Sequence, residues 1–206
     1  LPSDGSGFLP GGFEYHAAGA DVTGVRSDRR LNMSIKFDPS TITSLNSPKA
    51  LEVARYANSV PAGWEVGIVL HHEDNLHQDP SRTADYVASA AEFRRAQAIL
   101  ANAILSAGNP SVYPVINPSW DAGQWMESPS GTSQSPRANE MPAGTRLYID
   151  FYDNPRGYPR GYKNDGTQYR NATDLAVAYD RIVALGYGNT TYPWGIGELN
   201  APRRVA

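Results

Sequence analysis

What this chain lacks excludes several functions at once. It has no cysteine among its 206 residues, which rules out a disulfide framework and thiolate metal sites. The compartment stays open, because many secreted proteins also lack cysteine. It has no basic surplus either: 18 Lys and Arg stand against 21 Asp and Glu, a formal net charge of −3. That balance gives no general attraction to nucleic acid or an anionic membrane, so neither is expected as a partner. No apolar run approaches the ~18 residues of a membrane span, and the opening residues form neither part of a signal peptide. Gly-x-Gly-x-x-Gly and Gly-x-x-x-x-Gly-Lys follow none of the predicted strands, which argues against dinucleotide and P-loop folds. The chain opens at Leu1 rather than methionine, from which we expect a leader or a longer upstream segment to have been removed.

Hydrophobic residues make up 40% of the chain, enough for one globular domain over 1–206 with a sizeable core. Residues 1–30 read as an irregular lead-in, Gly- and Pro-rich to residue 12, with Phe13–His16 either a short strand or loop. Alternation over 31–37 predicts a strand with Met33, Ile35 and Phe37 on one face and Asn32, Ser34 and Lys36 on the other. Ser47-Pro48 starts a helix to about Ser59, with Leu51, Ala54 and Tyr56 among its buried residues. Residues 66–70 are continuously apolar and β-branched, as in a strand buried on both faces of a parallel sheet.

The longest helix is expected over 83–107, its stripe being Tyr86, Ala90, Phe93, Ala96, Leu100 and Ile104, with Gly108 as the stop. A strand over 111–117 precedes a long loop over 118–143, which carries Trp120, Trp125 and four prolines without periodicity. A strand over 146–152 and a Tyr-, Gly- and Arg-rich loop over 153–170 come next. A helix over 171–185, capped by Asn171, is expected to bury Leu175, Ala178, Tyr179, Ile182 and Leu185. The last strand is read over 192–199. Such alternation implies an α/β fold with a parallel sheet and right-handed crossovers.

Chemistry concentrates where strand 66–70 ends. His71, His72, Glu73, Asp74 and His77 hold three of the chain's four histidines within seven residues, at the end of a parallel strand where α/β proteins bind ligands. Glu198 stands near the end of the last strand. Two glutamates so placed match what glycoside hydrolysis requires, one protonating the leaving oxygen and one attacking the anomeric carbon. A metal site on His71, His72 and His77 is the competing reading. The zincin pattern fails, however, because His77 lies five residues after His72, so neither metal nor cofactor is expected.

His72-Glu73 after an apolar strand resembles the acid/base motif of family-26 glycoside hydrolases and related clan A (β/α)8 barrels. Residues 31–36 are similar to strand three of that fold, 148–152 to strand six and Trp194-Gly-Ile-Gly-Glu198 to the nucleophile strand seven. The chain is also similar to barrel domains of actinobacterial secreted and phage tail proteins. The resemblance covers roughly residues 31–204 and implies a TIM barrel trimmed at both ends. Such barrels usually have about 250 residues, so strands one, two and eight must be reduced, supplied by another chain or absent.

Carried over, Glu73 is the acid/base and Glu198 the nucleophile of a retaining enzyme. His72 contacts a sugar hydroxyl, and Tyr152 hydrogen-bonds the nucleophile. Lys36, Asp150, Trp120 and Trp125 are subsite candidates, with Lys36 and Asp150 alternatively a buried pair holding the barrel together. The implied substrate is a polysaccharide outside the cell, in a cell envelope or met by a phage virion tail, with this chain part of a larger chain or assembly. The alternative is a carbohydrate-binding or structural tail or envelope module on a degenerate barrel without catalysis.

Overall fold

The computed structural model describes residues 13–16, 30–61, 64–72, 87–118, 136–152, 179–180 and 182–200; for 13–16, 30, 150–152 and 196–200 it describes the backbone alone. Six strands form one sheet: β1 (Phe13–His16), β2 (Arg30–Ile35), β3 (Glu65–His72), β4 (Val112–Asn117), β5 (Arg146–Tyr152) and β6 (Trp194–Asn200). They lie side by side in chain order, β2 to β6 all parallel. The molecule is therefore α/β around a five-stranded parallel sheet. A doubly wound sheet reverses its strand order partway, and this one does not. Among the described residues β1 and β6 are its two edges.

Beside β2, where a (β/α)8 barrel carries a parallel strand two, β1 runs antiparallel, with Phe13 opposite Ile35 and His16 opposite Asn32. Residues 13–16 are thus a strand, of the opposite direction to any barrel strand.

Among the described residues, two helices of three turns or more cover one face. α1 (Pro48–Ser59) has the expected bounds, with Pro48 in its first turn. Ser47 Oγ accepts from Thr43 N and Ser44 N instead of capping the helix. At the far end Asn109 Nδ2 donates to Ala57 O and Val60 O, satisfying carbonyls that the helix terminus leaves without partners. The buried stripe differs from expectation: Ala50, Val53 and Ala57 are buried, Ala54 and Tyr56 only partly so, and Leu51 is 46% exposed. Small residues on this face let α1 lie close against α2, which rotates Leu51 outward.

α2 (Ala90–Ser106) starts later than the periodicity predicts, because Ser89 and Glu92 close a capping box. Its stripe otherwise agrees, with Phe93, Ala96, Leu100 and Ile104 buried; Tyr86 lies outside the described residues. Gly108 follows at φ 72°, the left-handed position that glycine adopts without steric cost.

The segment expected as loop through 143 carries structure from Pro136 onward. A 3₁₀ turn spans Ala138–Glu140, and Ala138 and Met141 are buried. Ala138 N donates to Leu185 O and Tyr187 Oη to Pro136 O, tying this turn to the chain before β6. Isolated prolines and serines hid it, since the contacts that bury it, to Leu185 and Tyr187, are remote in sequence. Residues 179–180 and 182–184 are helical. Ile182 and Leu185 are buried as expected, but Tyr179 is 42% exposed, its ring 5.6 Å from that of Trp194. β6 begins at Trp194 rather than 192, because Tyr192 N and Thr191 N donate to Asn189 Oδ1 in a turn.

The sheet's two faces differ in what covers them. Met33, Ile35, Val66, Ile68, Leu70, Val112, Ile116, Leu147 and Ile149 form one core with α1 and α2. Val69, Tyr113 and Val115, with Tyr148 against them, form a second cluster on the opposite face, which is helix-free among the described residues. That face is buried at its centre, where Val115 is 0% and Ser34 1% exposed, while Arg146 and Glu65 nearer the strand starts are about one third exposed. Gly67 permits the close packing there, since a Cβ would lie 2.6 Å from Asn32 Oδ1 and 3.0 Å from the Tyr113 ring. On the polar side of β2, Ser34 is therefore interior and Asn32 half-buried.

Candidate functional site

β3 runs two residues further than its apolar core, and its last turn of chain is irregular. Val69 pairs with Val115 but His72, not His71, pairs with Asn117. One extra residue is accommodated, the signature of a β-bulge. His71 is that residue, with φ 72°, a left-handed conformation that costs a non-glycine residue about 1–2 kcal/mol. Its ring is 4% exposed in the helix-side core, edge-on to Phe37 at 5.5 Å and to Phe93 at 5.3 Å. Contacts of this geometry contribute about 0.5–1.5 kcal/mol each, enough to offset the backbone cost. Beside it, Gln97 Nε2 donates to Leu70 O at 3.1 Å.

The bulge changes which side chain reaches which face. In an unbroken strand His71 follows Gly67 and Val69 onto the helix-free face and His72 follows Leu70 into the helix-side core. With the extra residue, His71 takes the core position and His72 stands level with Asn117, on the helix-free face. Asn117 is 3% exposed and donates from Nδ2 to Tyr148 O at 3.3 Å.

A second irregularity lies at the same end of the sheet. Ile149 pairs with Ile196, but Asp150 pairs with Glu198, so Gly197 is the extra residue in β6. Glu198 and Asp150 are thereby backbone neighbours on adjacent strands, and Tyr152 is level with Asn200. Both departures from regular pairing fall toward the C-terminal ends of parallel strands, the end that carries ligand sites in α/β folds.

Of the residues singled out in the sequence, His72, Asp150, Tyr152 and Glu198 stand toward the same end of β3, β5 and β6. Glu73, Trp120, Trp125 and His77 lie outside the described residues. Lys36 follows the end of β2 and is exposed. The buried-pair reading of Lys36 with Asp150 is therefore corrected: the lysine does not enter the interior. His71 is also corrected, from a member of a polar cluster to an aromatic core residue. Among the described residues no three His, Asp or Glu side chains converge as a metal site.

Nearer the strand starts, the helix-free face carries a polar group that the sequence analysis did not single out. Arg146 pairs with Glu65 at 3.0 Å, and its guanidinium carbon lies 3.4 Å from the centroid of the Tyr113 ring. Tyr113 Oη and Tyr148 Oη are 3.2 Å apart. Burial, reinforced by the hydrogen bond to Tyr148, pushes the Tyr113 phenol well above the ordinary tyrosine range. It stays neutral and serves as a hydrogen-bonding and stacking group, not a base. The alternation of Arg146 and Tyr148 with Leu147 and Ile149 was the available signal, but it does not say that a polar face is interior. No known family model and no curated protein matches the chain.

Proposed function

We propose that this chain is a retaining glycoside hydrolase on a trimmed (β/α)8-type barrel, with Glu73 as general acid/base and Glu198 as nucleophile. One observation carries the reading: β3, which leads into Glu73, and β6, which contains Glu198, are parallel members of one sheet with two strands between them. In a flat sheet three strand spacings of about 4.8 Å separate them by roughly 14 Å, too far for either glycosidase mechanism. Curvature toward the helix-free face brings inward side chains together, and about 5–5.5 Å between carboxyl groups suits a retaining enzyme. The packing of Val69, Tyr113, Val115 and Tyr148 on one another across that face supports such curvature, since barrel interiors are filled by the strands' own side chains.

In this reading Glu73 protonates the leaving oxygen while Glu198 attacks the anomeric carbon to form a glycosyl ester. Glu73 then takes a proton from the water that hydrolyses the ester. His72 contacts a sugar hydroxyl, Tyr152 hydrogen-bonds the nucleophile, and Lys36, Asp150, Trp120 and Trp125 line subsites. No cofactor takes part. The substrate is a polysaccharide met outside the cell, in a cell envelope or by a phage tail.

The antiparallel β1 favours a second reading, a non-catalytic carbohydrate-binding or structural module on a degenerate barrel. Reducing-end release from a panel of polysaccharides separates the two. Glu73→Gln and Glu198→Gln are each expected to lower hydrolysis at least about 10²-fold with the unfolding midpoint retained. Full activity in either variant sinks the glycosidase reading, and binding without turnover by the unmodified chain selects the module.

A further inference from the structure

We infer that Gln97 of α2 is a positioning residue: it holds the bulge at His71 and so turns His72 toward the helix-free face. Gln97 is 0% exposed among Phe93, Ala96, Leu100 and Ala101, in a helix stripe that is otherwise apolar. Burying an amide there is unfavourable unless it is hydrogen-bonded. Its partner is specific. Nε2 donates at 3.1 Å to Leu70 O, the carbonyl of the residue at which the β3–β4 pairing breaks, between Val69↔Val115 and His72↔Asn117.

Phe93 lies four residues before Gln97, and residues so spaced share one face of a helix. That face therefore grips the bulge twice, through the Phe93 ring against His71 at 5.3 Å and through the Gln97 amide on the carbonyl just before it. The Phe37 ring, itself 6.1 Å from that of Phe93, packs against His71 beside it at 5.5 Å. A bulge re-aims the side chains that follow it, and His72 is the last described residue before Glu73. The device thus sets the phase in which the chain leaves the strand. Its consequence for catalysis rests on the glycosidase reading above; its consequence for His72 does not.

The test is Gln97→Met, which keeps the length and removes the donor, examined in protein labelled with ¹⁵N-histidine. The variant is expected to unfold cooperatively like the parent while the ring resonances of His71 and His72 move. On a hydrolysed polysaccharide, kcat/KM falls about 10²-fold, as for a misplaced catalytic group, and KM rises with it because the contact of His72 to a sugar hydroxyl is displaced. Unchanged His71 and His72 resonances overturn the inference, even if stability drops. If the unmodified chain hydrolyses nothing, the glycosidase reading fails and the resonances still decide the role of Gln97. Should Gln97→Met not fold, Gln97→Asn is polar but one methylene short of Leu70 O. Displaced histidine resonances in that variant support the inference, and parental ones overturn it.

Discussion

A histidine at φ 72° is held there by its neighbours, and the energetic consequences can be measured. Replacing His71 by alanine removes its ring from the contact with Phe37 and Phe93 and keeps the backbone cost. Replacing it by glycine removes the same ring and relieves that cost. His71→Gly is therefore expected to be more stable than His71→Ala by about 1 kcal/mol, the reverse of the usual order inside a strand, where glycine is the weaker residue. Urea unfolding of the two variants checks this. If alanine is the more stable, residue 71 is not left-handed in the folded protein. The sequence showed His71 and His72 as one polar cluster, and they part company only because of this conformation. Alternation is a reliable guide to faces while pairing stays regular, and a single inserted residue reverses it.

α2 shows how a local motif can overrule a periodic one. Apolar spacing runs back to Tyr86, yet the helix begins where Ser89 Oγ accepts from Glu92 N and Glu92 Oε2 accepts from Ser89 N and Oγ. The Ser89 hydroxyl and amide bonds lower the Glu92 carboxyl below its ordinary value of 4.5. A lowered carboxylate stabilises the fold above its unfolded-state pKa, and that contribution is lost as pH falls through the folded one. Ser89→Ala is expected to cost about 1 kcal/mol at neutral pH. The difference from the parent should shrink in acid, as pH falls through the lowered Glu92 pKa and the carboxyl is protonated in both chains. Denaturant midpoints at neutral and acid pH test it, and a gap that grows in acid contradicts the assignment. Ser89-x-x-Glu92 is readable in the sequence, but apolar spacing that continues across it back to Tyr86 obscures it as a helix start.

Sheet order sets the gradient of stability across the molecule. β3 and β4 are central, with buried residues on both faces; β1 is a four-residue antiparallel edge. Amide exchange is therefore expected to be slowest in β3, β4 and the face of α2 against them, and fastest in β1, because opening frees an edge before it frees the centre. A β1 as protected as β4 would mean that another segment pairs along its outer side. The same order puts two strands between β3 and β6, the separation on which the paired-glutamate reading depends.

Composition and periodicity were sufficient for the α/β class, the parallel strands, the bounds of α1 and β5 and the core stripe of α2, because each depends on the repeat of apolar residues along a single segment. The end of β3 as a place of interest was legible too, from the abrupt change after Leu70. Contacts between segments decided the rest. The antiparallel direction of β1, the burial of Ser34 on the polar side of β2, the 3₁₀ turn at Ala138 and the outward rotation of Leu51 all depend on partners distant in the chain. So do the bulge that sends His71 into the core and the register that sets Glu198 beside Asp150. A strand's pattern records that it has two faces, but which neighbour lies against each, and in what register, is settled only when the strands pair and the helices pack over them.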